Sequence, residues 1–267
     1  MNFRICISLF LMCFLLLPPM MAMVPNTTEK QQEVTVKAMT YNTYSGRKQG
    51  IDKIAEVIRK ENPDIVSLQE IERNTDINPW DTPKKLSELT GMKYYYFAHA
   101  LNIPTGGDYG NVILSKFPIS EEKCFKLSVL KEGDYVRSFG YVKVVKDDKE
   151  FYFATTHLDH KYEDAARLKQ VEEILACVEQ LDKPVILGGD LNSRRGSDTM
   201  AAFQKYFTVN CLSDGAPWTV PTPNPTYPCD WLIYAPNEAF TVKSYNVCYW
   251  ADKESDHYPV VATYLIK

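Results

Sequence analysis

EFYFATTHLD (residues 150–159) and PVILGGDLN (residues 184–192) flank a stretch in which Ala165, Leu168, Val171, Leu175 and Val178 recur at helical spacing. The first segment reads as a strand ending near His157, the middle as an amphipathic helix, and the last as a short apolar strand running into Asp190 and Asn192. A crossover of this kind returns the chain in the same direction, so polar residues at both strand exits arrive at one edge of a sheet. The N-terminal half repeats the design. EVTVKAMTYN (33–42) alternates like a strand and ends at Asn42, Ile51, Ile54, Ala55 and Ile58 mark one helical face, and DIVSLQE (64–70) reads as a strand ending at Glu70. Asn42, Glu70, His157, Asp190 and Asn192 are therefore expected on one shared rim.

Further strands are expected over 94–98, 112–116, 119–129 and 135–145, separated by turn signals such as KEGD and SKFP. SDTMAAFQKYF (197–207) reads as a short helix, followed by the loop SDGAPWTVPTPNPTYPCD (213–230) with its five prolines. DWLIYAP, FTVKSYNVCYW and YPVVATYLI close the chain as strands. Most of these strands are too apolar to leave a face in water. The expected fold class is α/β (α+β), a four-layer α/β/β/α sandwich in which two mixed sheets pack together and helices flank them. No linker divides residues 34–267, so one domain is expected there.

Residues 1–22 place Arg4 before an apolar stretch from Ile5 to Leu17 and small or turn-forming residues near Ala22, the layout of a secretory signal peptide. The stretch is short for a membrane span. Residues 23–33 read as a flexible leader, and a secreted or periplasmic protein is expected. A lipid anchor at Cys13 is disfavoured, because Leu11 and Met12 are not the small residues such an anchor needs. Removing the signal peptide takes away Arg4 and no acid, which lowers the formal charge from −4 to −5. That surface does not attract nucleic acid or anionic lipid over long range. Cys124, Cys177, Cys211, Cys229 and Cys248 then remain, an odd number without CxxC spacing, so neither a disulfide scaffold nor structural zinc is indicated. One bridge, Cys211 to Cys229, is conceivable. A monomer is expected.

Each polar residue alone has an ordinary explanation. Glu70 can be a strand-end charge, Asn42 a turn cap, His157 a satisfied half-buried histidine and His160 a loop residue; Asp256 and His257 can form a turn before the last strand. Gly188 and Gly189 ahead of Asp190 suggest a turn or close backbone approach to a ligand. As a set the residues say more. Carboxylates at Glu70, Asp190 and Asp256 are hard oxygen donors suited to Mg²⁺ or Mn²⁺. Asn42 and Asn192 orient phosphate without repelling it, and His157 and His257 donate to phosphate oxygens or move protons. The composite looks like a phosphoryl-transfer site.

TYN (40–42), SLQE (67–70), YGNVILSKFPI (109–119), THLDH (156–160), GGDLN (188–192), PCDWLIY (228–234) and SDHYPV (255–260) resemble, in order and spacing, the endonuclease/exonuclease/phosphatase superfamily. That superfamily includes pancreatic-type deoxyribonuclease, abasic-site endonucleases, bacterial sphingomyelinases and inositol-polyphosphate 5-phosphatases. The resemblance covers about residues 34–267. It implies Glu70 as principal metal ligand with Asn42 nearby and Asp256 as a further ligand. It also implies Asp190 orienting or deprotonating the attacking water, Asn192 holding a phosphate oxygen, and Asp230 paired with His257, itself a general base or a phosphate clamp. His157 would steady phosphate oxygens or protonate the leaving group. The implied enzyme is a divalent-metal-dependent phosphoesterase with no covalent intermediate, and Cys229 is expected to be structural.

Two departures bear on substrate. Tyr44 stands where abasic-site endonucleases commonly carry Asp, and Pro228 and Cys229 precede Asp230 where many relatives have a basic residue and an isoleucine. With the acidic charge, these favour a lipid or small phosphoester over DNA or RNA. A binding protein that kept the fold without catalysis is the competing class. Specificity is expected in the loops 73–82, 99–110 and 193–229. Tyr249 and Trp250 are expected to pack beneath a loop, with substrate or membrane contact as the alternative.

Overall fold

The computed structural model describes residues 33–161, 163–209 and 218–267. The expected signal peptide, all but the last residue of the leader, and Cys211 lie outside the described residues. Strand β1 (Val34–Asn42), helix α1 (Ile51–Glu61) and strand β2 (Ile65–Arg73) form the first crossover; α2 (Thr82–Thr90), β3 (Tyr94–Asn102), β4 (Asp108–Ser115), β5 (Ile119–Lys126) and β6 (Ser138–Lys146) follow. The second crossover is β7 (Lys149–His157), α3 (Ala165–Val178) and β8 (Val185–Asp190), after which come α4 (Asp198–Phe203), β9 (Asp230–Ala235), β10 (Phe240–Val247) and β11 (Val260–Ile266).

The strands form a six-stranded sheet, ordered β10-β11-β1-β2-β4-β3, and a five-stranded sheet, ordered β5-β6-β7-β8-β9. Among the described residues only the two crossovers pair in parallel: Asn42 lies opposite Gln69, and His157 opposite Asp190. Both crossovers thus deliver their polar exits at one end of their sheets. Three apolar layers hold the stack. Val36, Ala38 and Ile65 meet Val142, Phe153, Ile186 and Leu232 between the sheets. Met39, Val66 and Leu68 face Ile54 and Ile58 on one outer side, and Ala154, Leu187 and Trp231 face Val171, Ile174 and Phe203 on the other. Each fully buried valine, leucine, isoleucine, methionine or phenylalanine among them contributes about 1.5–3 kcal/mol. Packing of its apolar face, more than intrinsic propensity, therefore holds the 11-residue α1. This is the four-layer α/β/β/α sandwich.

The structure differs from the sequence reading in three places. Helix α2 lies just past the loop expected over 73–82, in a stretch to which the sequence reading assigned no element. Its signals are local: Asp81 caps it by accepting from the Lys84 N–H, Pro83 occupies its first turn, and Gly91 ends it with φ 74°. Secondly, β2 does not stop at Glu70. Its pairing with β4 slips between Leu68 and Ile71, and Glu70 sits in that bulge with φ 56°. A non-glycine residue in the left-handed region is strained, and bulges re-aim side chains. Thirdly, the glycines before Asp190 answer to protein. A Cβ on Gly188 would lie 3.0 Å from the Ser67 Cβ and 3.2 Å from the Thr40 Cβ, both on the opposing sheet. The Ser67 hydroxyl donates to the Gly188 carbonyl at 2.8 Å, so the sheets touch directly behind Asp190.

Gly188→Val should therefore force the sheets apart and destabilise the protein by about 1–3 kcal/mol, read as a lowered midpoint in urea unfolding.

Candidate active site

The strand ends converge on a cavity of about 740 Å³ whose walls include Glu70, Arg137, His157, Asp190, Asn192 and His257. Asn42, at the exit of β1, is buried at its foot. Its Oδ1 accepts from the Tyr44 N–H at 3.1 Å, which turns Nδ2 toward two carboxylates: Asp190 Oδ2 at 2.9 Å and Glu70 Oε1 at 3.3 Å. One amide thus joins residues from both sheets. Asn192 holds φ 46°; its N–H donates to Asp190 Oδ1 at 3.0 Å and its Nδ2 to the Leu158 carbonyl at 3.0 Å.

His257 arrives on a braced turn. The Ser255 hydroxyl donates to the Asn42 carbonyl at 2.7 Å and accepts from the His257 N–H at 3.3 Å. The proline-rich loop holds the same turn from outside: Thr222 Oγ1 donates to the Ser255 carbonyl, and its N–H to the Asp256 carbonyl. Past the turn, β11 pairs with β1 and β10, so an interior strand of the six-stranded sheet also fixes the imidazole. Its Nδ1 lies 2.8 Å from Asp230 Oδ2, while its Nε2 lies 3.9 Å from Asp190 Oδ2. Asp230 is fully buried behind it, and among the described residues Asp230 Oδ1 has no hydrogen-bond partner. Asp256 is half-buried, accepts from the Ser255 hydroxyl, and is not on the cavity wall.

Burial sets the protonation states. It works against a charged His257, but the Asp230 carboxylate and its hydrogen bond, then Asp190 and Asp256, outweigh it and raise the imidazole to about 10. Burial pushes Glu70 up, against the Asn42 hydrogen bond and the charge of Arg137. Burial and the Asp230 charge push Asp190 up. His157 moves the other way: burial, Arg137 and His257 hold it well below the usual range. Its 3.4 Å approach to Asp190 is therefore made by a neutral ring and is no ion pair. The Cys229 thiol lies 3.5 Å from Asp230 Oδ2 and 3.7 Å from His257 Nδ1. Burial and the charges of Asp190 and Asp230 push it far up, so it stays protonated and is a poor nucleophile. Cys229 is a free thiol, with Cys211 outside the described residues.

Asp190, Cys229, Asp230 and His257 bring donor atoms within 4.8 Å of one another, a group able to hold a metal ion. Glu70 offers a second kind of place. Among the described residues only one amide donates to its side chain, and its burial leaves the charge short of compensation. An oxygen donor of that kind suits a hard divalent cation.

Two groups in the cavity escaped the sequence reading. Arg137, one residue before β6, was hidden in a stretch read as strand, though a lone arginine before an apolar run is a visible signal. It contacts Tyr109 Oη, His157 Nδ1 and His160 Nδ1, which draws His160 onto the cavity wall. Because the guanidinium only donates, His157 Nδ1 must accept, and the proton sits on Nε2 facing Asp190. Tyr249 and Trp250 are exposed but partnered: Tyr249 packs edge-on against Tyr258, and Trp250 donates to Glu61 beneath Lys60.

Residues 39–257 match the model of the Endonuclease/Exonuclease/phosphatase family. The chain belongs to that family. Its members are phosphoesterases. Among curated proteins, sphingomyelinase C of Bacillus cereus is 24% identical over 307 aligned residues, covering 90% of this chain and 92% of that protein. Phospholipase C of Staphylococcus aureus is 24% identical over 213, covering 68% and 64%. Among solved structures, an endonuclease/exonuclease/phosphatase from Beutenbergia cavernae aligns with TM-score 0.76 at 23% identity, covering 88% of this chain and 72% of that one. A mannosyl-6-phosphatase from Bacteroides thetaiotaomicron aligns with TM-score 0.66 at 21% identity, covering 86% and 100%. The structural likenesses establish the shared fold. Among the described residues no helix is long and apolar enough to cross a membrane.

Asp230 is the main charge holding the proton on His257. Asp230→Asn should lower the imidazole pKa measured by NMR titration from about 10 toward the ordinary histidine range. An unmoved titration would show that Asp190 and Asp256 suffice.

Proposed function

We propose that this protein is an exported phosphoesterase that uses Mg²⁺ or Mn²⁺ to hydrolyse a lipid-linked or other small phosphodiester by in-line attack of water. The observation that carries the proposal is the Asn42 amide, which ties Glu70 to Asp190 at the foot of one cavity while the Asp230–His257 couple faces Asp190 from the other side. That arrangement supports a reading in which a hard oxygen donor, a base and a charged donor act on a phosphoryl group in the one cavity.

Glu70 would hold the metal, with Asn42 fixing its carboxylate. The Asp190–Cys229–Asp230–His257 group fits less well, because Asp230 and His257 are engaged with each other and the Cys229 thiol keeps its proton. When bound, the metal offsets charge on the phosphoryl oxygens. Asp190, its basicity raised by burial, takes the proton of the attacking water. His257, kept charged by Asp230, offers Nε2–H to a phosphoryl oxygen as charge builds there. His157 is neutral and presents Nε2–H, so it steadies an oxygen and does not serve as the proton source for the leaving group. Asn192 spends one Nδ2 hydrogen on Leu158 and keeps the other for the substrate. Asp256 acts through its charge, which raises the proton affinity of Glu70 and His257.

For the substrate, the acidic net charge and the alignment with sphingomyelinase C over most of both chains favour a phospholipid headgroup diester over nucleic acid. A sugar phosphate is the second reading, favoured by the full coverage of the mannosyl-6-phosphatase.

Purified protein offered sphingomyelin, phosphatidylcholine, mannose 6-phosphate and DNA should release headgroup fastest from a phospholipid. EDTA should abolish turnover, and His257→Ala should lower kcat by about 10²–10⁴-fold. Faster cleavage of DNA would overturn the substrate class. No turnover with any substrate, with either metal, would support the binding-protein alternative.

A further inference from the structure

Asp230 and His257 stand at the ends of strands from different sheets. Asp230 opens β9, the last strand of the five-stranded sheet, and His257 leads into β11 of the six-stranded one, so no ladder of strand bonds sets the 2.8 Å between Oδ2 and Nδ1. The carboxylate has few bonds of its own to steer it. Its Oδ2 meets His257 and the Cys229 thiol, and among the described residues its Oδ1 has no partner. The placement of the two backbones therefore decides whether the couple forms.

Two threonines of the stretch TVPT (219–222) hold both backbones. Among the described residues no further strand of the sheet lies beyond β9 to offer acceptors to its first residues. Thr219 Oγ1 takes that place, accepting from the N–H of Cys229 at 3.1 Å and of Asp230 at 3.3 Å. The Thr219 carbonyl accepts from the N–H of Tyr258, the residue after His257, at 2.7 Å. Thr222 reaches the near side of the histidine: its N–H donates to the Asp256 carbonyl at 2.9 Å and its hydroxyl to the Ser255 carbonyl at 2.7 Å. Lys48 Nζ donates to the same hydroxyl at 2.8 Å, which leaves the hydroxyl proton for Ser255.

His257 is thus bracketed from Ser255 to Tyr258 by a segment whose first residue also anchors Asp230. The segment is stiff in its own right. The N–H groups of Thr219 and Val220 both donate to the Tyr227 carbonyl, and Pro221 and Pro223 each fix a backbone angle beside Thr222. Both threonines are buried, where water does not replace a lost acceptor.

We propose that Thr219 is a positioning residue for the reaction: its hydroxyl oxygen and its carbonyl together hold Asp230 and His257 within hydrogen-bond distance across the two sheets, with Thr222 as the second arm. This rests on the phosphoesterase reading above, in which His257 meets the phosphoryl group. Misplacing a reacting group by an ångström costs up to about 10²-fold in rate. The loss falls on the chemical step, so kcat carries it and KM does not.

The test compares full-length variants on bis(p-nitrophenyl) phosphate with Mn²⁺. Thr219→Val keeps the shape and removes the oxygen; it should lower kcat about 10–100-fold with KM within about twofold of wild type. Thr219→Ser restores the oxygen and should bring kcat back to within about threefold. Ser87→Ala removes another buried hydroxyl, bonded to the Met92 carbonyl at the end of α2, and should lower the melting temperature without changing kcat. A second readout needs no turnover. The Nδ1–H proton of His257, drawn far downfield in the NMR spectrum by its short bond to a carboxylate, should persist in wild type and Thr219→Ser and move upfield or vanish in Thr219→Val. Wild-type kcat or a wild-type resonance in Thr219→Val, equal damage in Thr219→Ser, or an equal loss of kcat in Ser87→Ala overturns the proposal. If Thr219→Val fails to fold, Thr222→Val decides on the same two readouts, and wild-type values there overturn it. A wild type that turns over no phosphoester overturns the phosphoesterase reading, while an upfield shift in Thr219→Val still upholds the positioning.

Discussion

The hydrogen bond from the Asn42 amide to Asp190, buried and spanning the two sheets, is the contact on which the site depends. Its partners are 148 residues apart and belong to different crossovers. Neither crossover alone can build the cavity. Each brings its polar exits to one end of its own sheet, and only face-to-face packing sets those ends beside each other. The close approach at Gly188 and the Ser67 hydrogen bond hold the sheets at the separation this one bond needs. A shift of an ångström would break it and take the amide donor away from the buried Asp190 Oδ2, which costs about 1–3 kcal/mol.

Much of this was legible in the sequence because the fold is periodic where the site is not. The spacing of Ile51, Ile54 and Ile58 and of Val171 and Val178 reports helices, alternation reports strands, and polar residues at strand ends stand out against both. Residues whose geometry breaks the period were harder to read. Glu70 is recognisable as a strand-end acid, but the bulge that turns it inward depends on the mismatch with β4, which no local pattern announces. Arg137 is the sharper case, since its contacts with Tyr109, His157 and His160 join segments distant along the chain, which no local pattern announces. His160, exposed and beyond its strand, joins the cavity through Arg137 and the ring of Tyr135.

Charge explains how the two ends of the cavity act together. Glu70 and Asp190 contribute carboxylates whose proton affinities are raised by burial. Arg137 and the charged His257 share the same cavity and act electrostatically on those carboxylates. An approaching phosphate meets repulsion from the first pair and attraction from the second, and a divalent cation meets the reverse. Each ligand therefore improves the site for its partner, a reciprocity that follows from linkage wherever two oppositely charged ligands share one low-dielectric space.

The same reasoning explains why strain gathers here. Glu70 and Asn192 hold left-handed backbone conformations, Asp230 Oδ1 and Arg137 Nε are buried without partners among the described residues, and Asp190 is crowded by a second carboxylate. Strained non-glycine residues cost of order 1–3 kcal/mol each. Such costs persist only where the surrounding structure over-determines them, and here three apolar layers and a loop braced at Thr222 do so. The arrangement that is least stable without ligand is the one that gains most when a cation and a phosphoryl group enter. Rigid packing around an under-satisfied centre is thus the physical basis for a site organised before its substrate arrives.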